Sequence, residues 1–277
     1  MRPLGAALVF LSACASAGAA GPPVEPTAPP LGGGLKVTYL ANEGVLLESG
    51  STRVVIDGLH RFYKEAYATL PDAPREALES AAPPWNGIDL LLVSHRHRDH
   101  FHPEAVGRYL AGSPRTQLLT SEEVVGELTR DYAGWESIRG QVVPWHWEVG
   151  RAETVRAGGV EVTLLGLSHG DGQMATVQNV GHLFSLGGVR VLHVGDAKLT
   201  AANFSPFNLP ARGIDIAFLP WWYVIDDEGR ALVRAHIAPR RVVAIHIGPG
   251  EATEVVERLR ESAPAVVPFV TPLEDRL

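Results

Sequence analysis

Apolar and polar residues alternate over Lys36–Leu40 and Val45–Glu48, and Arg53–Ile56 resumes after Ser49-Gly50-Ser51. Period-two patterning broken at a glycine predicts strands joined as a hairpin, the last of them ended by Asp57-Gly58. Leu90–Val93 is different. It is a short unbroken apolar run, too brief for a helix, and predicts a strand buried on both faces. Pro103 suits a first helical position and predicts a helix near Pro103–Ala111. A strand at Gln117–Leu119, a helix opened by Ser121, and strands at Gln141–Trp147, Glu153–Arg156 and Val160–Leu165 follow. Leu59–Ser80, punctuated by Pro71 and Pro74, is mixed and predicted to be partly helical.

The second half repeats this grammar. Val180–Leu186 and Val189–Val194 flank Gly187-Gly188 as a hairpin, and Ile214–Leu219 reads as another buried strand. A helix over Gly229–Ala238, a strand over Val242–Ile247 and a helix over Glu251–Ser262 complete it. The last helix sets Val255, Val256 and Leu259 on one face. Hairpins followed by strand–helix units, twice, predict a layered α/β (α+β) fold: two β-rich sheets packed together with helices outside.

The N-terminus lies apart from this pattern. One positive charge in Met1-Arg2-Pro3, the apolar Leu4–Leu11 and the small residues Ser12-Ala13-Cys14 describe a secretory signal. The apolar part is too short to cross a bilayer. Leu11-Ser12-Ala13-Cys14 resembles the bacterial lipobox, in which the cysteine is lipidated and becomes the mature N-terminus. Cys14 is the only cysteine, so no disulfide forms within the chain. Gly21–Gly34, with five prolines and four glycines, reads as a tether. The expected organisation is therefore residues 1–20 as signal, 21–34 as tether and 35–277 as folded domain. The protein would sit on the periplasmic side of a bacterial membrane, held by a lipid anchor. Ordinary cleavage within Ala15–Ala20 is the competing reading and leaves a soluble exported protein.

Composition adds two limits. At 277 residues, with 45% hydrophobic and 20% charged residues, the chain can build a sizeable core. A net charge of −7 without a Lys/Arg-rich run argues against nucleic acid as the main partner.

The candidate chemistry follows the buried run directly. Ser94-His95-Arg96-His97-Arg98-Asp99-His100 places three imidazoles and a carboxylate within six residues. In extended chain His95, His97 and Asp99 project to one side, and the chain must turn for His100 to join them. Imidazole suits Zn, Fe, Ni or Cu, and a carboxylate tolerates harder ions. A solvated, metal-free histidine loop is the plain alternative, but the regular interval and the strand before it favour a metal site. Three later runs end comparably: Leu164–Ser168 into His169, Val191–Gly195 into Asp196, and Val242–Ile245 into His246.

In that order, His-x-His-x-Asp-His, a lone His, Gly-Asp and a final His resemble the metallo-β-lactamase fold superfamily. The likeness runs from the first hairpin to His246. It implies an αββα sandwich of two mixed sheets with a dinuclear site at one edge. By that resemblance His95, His97 and His169 hold one metal, Asp99, His100 and His246 hold the other, and Asp196 bridges them. The ions implied are two divalent metals, Zn first, with Fe or Mn as substitutes. A metal-bridged hydroxide would attack an ester, lactone or phosphodiester, with Asp99 also orienting the nucleophile or receiving a proton. Asp196 departs from true β-lactamases of the three-His-plus-Asp/His/Cys type, which lack the bridging Asp. Flavodiiron oxygen reductases have Glu where His97 stands. Asn42–Glu48, Val54–Asp57, Asn179–His182 and Leu219-Pro220 look most like the branch with ascorbate-phosphate lactonase and N-acyl-phosphatidylethanolamine phospholipase D. A small-molecule or lipid-like substrate follows from that likeness.

Other residues are weighed against plainer roles. Asp57 supports the site or caps a turn, and His182 and His193 either hydrogen-bond a ligand or are ordinary strand histidines. His102 reads as solvated, and His60, His146 and His236 have no motif around them. Trp221-Trp222-Tyr223 would wall a substrate pocket, pack into the core or form a lipid-facing patch. The competing functions are a non-catalytic metal-containing surface lipoprotein that binds a ligand or partner, and a redox or sulfur-transfer enzyme of the same fold.

Overall fold

The computed structural model describes residues 34–275, so the expected export signal, Cys14 and all but the end of the expected tether lie outside the described residues. Among the described residues no helix is long and apolar enough to cross a membrane. The first half gives β1 (Lys36–Ala41), β2 (Gly44–Ser49), β3 (Thr52–Ile56), α1 (Asp72–Glu79), β4 (Leu90–Leu92), α2 (Pro103–Gly112), β5 (Gln117–Ser121), α3 (Glu122–Asp131), α4 (Trp135–Ile138) and β6 (Val142–Trp145). The second gives β7 (Ala152–Ala157), β8 (Val160–Ser168), β9 (Gln178–Leu186), β10 (Val189–His193), α5 (Ala201–Phe204), β11 (Ile216–Pro220), α6 (Asp227–His236), β12 (Arg241–Ile245), α7 (Ala252–Ser262) and β13 (Val267–Pro268).

Each half builds one sheet, and each sheet is mixed. Strands β1 to β6 lie side by side in chain order, as do β7 to β13. The hairpins β1–β2–β3 and β7–β8–β9–β10 are antiparallel, and the strands after them pair in parallel. Parallel pairing needs a crossover, which the helices supply.

Strand periodicity sorts the side chains into layers. Leu90 and Leu92 face the second sheet, meeting Val162, Leu164, Phe184, Val191 and Phe218. Leu91 and Val93 point the other way, onto Val106, Tyr109 and Leu110 of α2 and Val124 and Leu128 of α3. The outer face of the second sheet packs Leu192, Ala217 and Leu219 against Val233 of α6 and Val255 and Leu259 of α7. The result is the four-layer sandwich of two mixed sheets with helices outside, as the resemblance implied.

Local chemistry explains the boundaries. Pro103 opens α2, and the Ser121 hydroxyl accepts from the Val124 N–H to cap α3. Asp226 accepts from Gly229 N–H at 2.8 Å, so α6 starts two residues before the expected Gly229. Strand β8 runs on to Ser168 and delivers the chain to His169. The sheets are also joined at one edge by main chain. Val180 N–H donates to Ser94 O at 2.8 Å, and His246 N–H to Asn42 O at 2.9 Å.

Candidate metal centre

That joined edge gathers the ends of β4, β8, β10 and β12, and so all seven expected ligands. Two groups form. One holds His95, His97, His169 and Asp196; the other holds Asp99, His100, His246 and Asp196. In the first, His95 Nε2 lies 3.0 Å from His97 Nδ1, and Asp196 Oδ2 lies 3.7 Å from His169 Nε2 and 4.0 Å from His95 Nε2. In the second, Asp196 Oδ2 is 3.4 Å from His100 Nε2 and 3.6 Å from His246 Nε2, while Asp99 Oδ2 is 3.2 Å from His246 Nε2. Donors around a tetrahedral Zn stand about 3.4 Å apart, so the spacing fits. The Asp196 carboxylate is the shared corner.

Hydrogen bonding separates the front of the site from its support. The Nε2 atoms of His100, His169 and His246 and Oδ1 of Asp196 are buried without a hydrogen-bond partner. Buried polar atoms are normally paired. The unpaired Nε2 of His169 in the first group and those of His100 and His246 in the second are what cations would satisfy, so the residues present fit two metals.

Behind them, Asp57 accepts from Ser94 N–H at 2.7 Å, from the Ser94 hydroxyl, and from His100 Nδ1 at 3.0 Å. Ser94 Oγ in turn lies 3.0 Å from His95 Nδ1. One carboxylate thus orients an imidazole in each group, His100 directly and His95 through Ser94, leaving both Nε2 atoms forward. Burial works against the charged Asp57 carboxylate, but the His100 contact reverses this and lowers its pKa. With two roles weighed for Asp57, its side chain contacts Ser94 and His100.

The two strand histidines divide. His193 Nδ1 accepts from Gly195 N–H at 3.2 Å, so its Nε2 donates to Glu43 O at 3.1 Å. It braces the turn before Asp196 and has no lone pair left for a metal, although Glu43, Asp57 and His193 lie close enough to suggest a third site. His182 faces His193 across β9 and β10, and neither of its ring nitrogens has a partner. It makes no hydrogen bond to any of the seven donors.

Three supporting residues escaped the sequence reading. Asn42, with φ 54°, donates through Nδ2 to Asp99 O at 3.1 Å and Oδ2 at 3.3 Å. Asn179 Oδ1 accepts from Asp196 N–H at 3.1 Å, and its Nδ2 donates to Val194 O at 2.9 Å. A Cβ on Gly195, at φ +57°, would meet that Asn179 oxygen at 2.5 Å, so glycine is required there. Glu43 is wholly buried with both oxygens unpaired, and burial and then Asp196 raise its pKa well above the carboxylate range. The turn Asn42-Glu43-Gly44 was a signal, since a hairpin rarely buries an acid.

Charge within the metal-free centre is uneven. Burial, then His100, hold His95 well below its ordinary pKa. Burial also opposes charge on His246, yet Asp196 outweighs it and lifts the group to about 10.

The remaining expectations resolve by contact. Trp222 is exposed, with its ring centroid 5.0 Å from that of His246. Trp221 Nε1 donates to Glu251 Oε1 at 3.0 Å, and Tyr223 is buried with its hydroxyl on Ala197 O. Only one of the three aromatics therefore faces the site. His102 is half-buried rather than solvated: it directly precedes α2, its N–H donates to Leu59 O at 3.0 Å, and its Nδ1 is buried. His60 is buried beside Ala41 O, and His146 pairs with Glu122 at the surface. A surface cavity of about 430 Å³ is lined by residues such as Thr154, Arg156, Glu161 and Thr163 of β7 and β8 and includes none of the seven donors.

Residues 52–269 match the family model described as the beta-lactamase superfamily domain. A UPF0173 metal-dependent hydrolase from Anaeromyxobacter dehalogenans is 26% identical over 237 residues, covering 78% of this chain and 76% of the relative. A UPF0173 metal-dependent hydrolase from Thermus thermophilus is 27% identical over 215 residues, covering 76% and 83%. Among solved structures, a metallo hydrolase from the archaeon Ignicoccus hospitalis superposes with a TM-score of 0.56 at 18% identity, covering 87% of this chain and 97% of that one. That last likeness speaks to the fold alone.

Proposed function

The chain belongs to the beta-lactamase superfamily domain family, and on that premise we propose that it is a dinuclear metal-dependent hydrolase of an ester, lactone or phosphodiester bond. One observation carries the reading: two groups of donors share the Asp196 carboxylate, and four of their atoms are buried with no other partner. Its metal-dependent hydrolase relatives support the same reading. His95, His97, His169 and Asp196 would hold one divalent ion, and Asp99, His100, His246 and Asp196 the other, with Zn, Fe or Mn suited to this donor set. When bound, such a pair supplies an acidified water and polarises the attacked group.

The chain's own residues do the rest. Asn42 fixes the Asp99 carboxylate at the mouth of the second group, where it can hold metal and take up a proton. Asp57 and Ser94 keep the imidazoles of His100 and His95 in the required tautomers. No Ser or Cys nucleophile is needed. The resemblance to the lactonase and phospholipase branch supports the bond types named.

Metal analysis with a panel of lactone, ester, phosphodiester and β-lactam substrates tests this. The expected result is two metals per chain, with turnover on one of the first three classes that is lost in Asp99→Ala. Folded wild-type protein that stays metal-free under reconstitution would overturn it. We propose also that the protein is exported and lipid-anchored through Cys14. Cys14→Ser should move it from the membrane to the soluble fraction, and unchanged fractionation would remove the claim.

A further inference from the structure

The loop between β3 and α1 reaches back to the metal centre, as does the chain after β11. Its Tyr67 ring stands edge-on to His246, with centroids 5.5 Å apart and planes at 87°. Trp222, from the end of β11, approaches the same imidazole at 5.0 Å and 72°. Two aromatics from separate elements therefore flank one ligand ring. The surface continues outward: Tyr63 stacks on Tyr67 at 6.1 Å and 12°. Phe62, Tyr63 and Trp222 remain 67%, 46% and 37% exposed, an unusual concentration of apolar area in one place. On the His169 side, exposed Met174 lies against Gly170.

This loop is held in place. Arg61 makes a bidentate pair with buried Glu79 of α1, at 2.8 and 2.6 Å. Further along, Ala66 O lies so close to Gly248 that a Cβ there would sit 2.2 Å from it. Tyr67 is thus fixed relative to the loop that carries His246.

The cations near the centre are already engaged. Arg96 pairs with Glu123 and Glu127, Arg98 with Glu127 and Asp131, and Lys198 with Asp171. Lys64 lies over the Tyr63 ring at 4.6 Å. An anionic group beyond the scissile bond would find carboxylates beside each of the two arginines and Lys198, while a flat uncharged group would find Trp222 and the Tyr63–Tyr67 stack.

Resting on the hydrolase reading above, we propose that Tyr67 and Trp222 form the specificity wall of the site and select a neutral ester or lactone that carries an aromatic group. Each ring is a positioning surface for the non-reacting part of the substrate, so its contribution appears in KM.

Benzyl acetate and ethyl acetate separate the possibilities, since both are neutral acetates of alcohols of similar acidity. With metal-loaded protein, wild type should prefer benzyl acetate through KM. Trp222→Ala and Tyr67→Ala should each lower that preference by about tenfold or less, and Trp222→Phe should restore most of it. Saturation-transfer NMR with benzyl alcohol reads the wall without turnover; contact should be seen in wild type and weakened in Trp222→Ala at unchanged metal content. If neither ester is cleaved, the ester reading fails while benzyl alcohol binding still decides the wall. Equal KM changes for both esters, or benzyl alcohol contact unaltered by both alanine variants, would overturn the proposal.

Discussion

The front and the back of this centre are built from the same residue types and treat hydrogen bonds in opposite ways. At the back, Asp57, Ser94, His193 and Asn179 have their polar atoms spoken for by neighbours. At the front, ring nitrogens of His100, His169 and His246 are buried and unanswered. A histidine's identity therefore says little about its role. Its unspent lone pair says more, and that is why His193 is a brace although it stands three residues from Asp196.

The comparison can be broken most severely at its shared corner. Asp196→Ala removes a donor from both groups, and metal content and turnover should fall on the order of a thousandfold, beyond the range expected of a supporting residue. Retention of both metals by inductively coupled plasma analysis would contradict the shared role.

His182 sharpens the comparison, because it lies at the back yet has no partner. Burial lowers its pKa from 6.5 to about 3. In the fold it stays neutral, whereas the unfolded chain protonates below pH 6.5. Its contribution to stability is thus complete above that value and is lost as pH falls from 6.5 through about 3. Between pH 7 and 4 the loss should reach about 3 kcal/mol. His182→Leu should remove this part of the acid sensitivity in urea titrations between pH 4 and 7. An unchanged pH profile would show that the buried imidazole does not govern it.

A smaller effect is expected at the supporting carboxylate. Asp57→Asn keeps the shape but cannot accept equally from Ser94 and His100, and metal affinity should drop by about 10–100-fold with the fold intact. Glu43→Gln should do least, within about threefold on turnover, because the native carboxyl makes no hydrogen bond and the amide preserves its size. A collapse of activity in that variant would mean that the group works as an anion.

The contiguous ligands were legible because packing alone rarely gathers three imidazoles and a carboxylate within six residues. His169, Asp196 and His246 gained meaning only through their order and the strands before them. Asn42 and Asn179 could not be read, since an amide that pins a loop looks like any turn residue until its partner 57 or 17 positions away is known. The layers were legible for the reason that strand side chains alternate, so Leu90 and Leu91 had to face different neighbours. The short α4, α5 and β13 lacked that signal, because elements of two to four residues have no period to show.

The two main-chain bonds across the sheets carry a consequence for motion. Val180 and His246 donate between layers that otherwise meet through side chains at this edge, so releasing either amide to solvent requires the sandwich to part there. Their hydrogen-exchange rates should therefore track global unfolding, whereas amides in the aromatic loop over 62–67 exchange through smaller openings. The edge that assembles the donors then opens only when the two layers part, so the metal geometry outlasts smaller openings elsewhere.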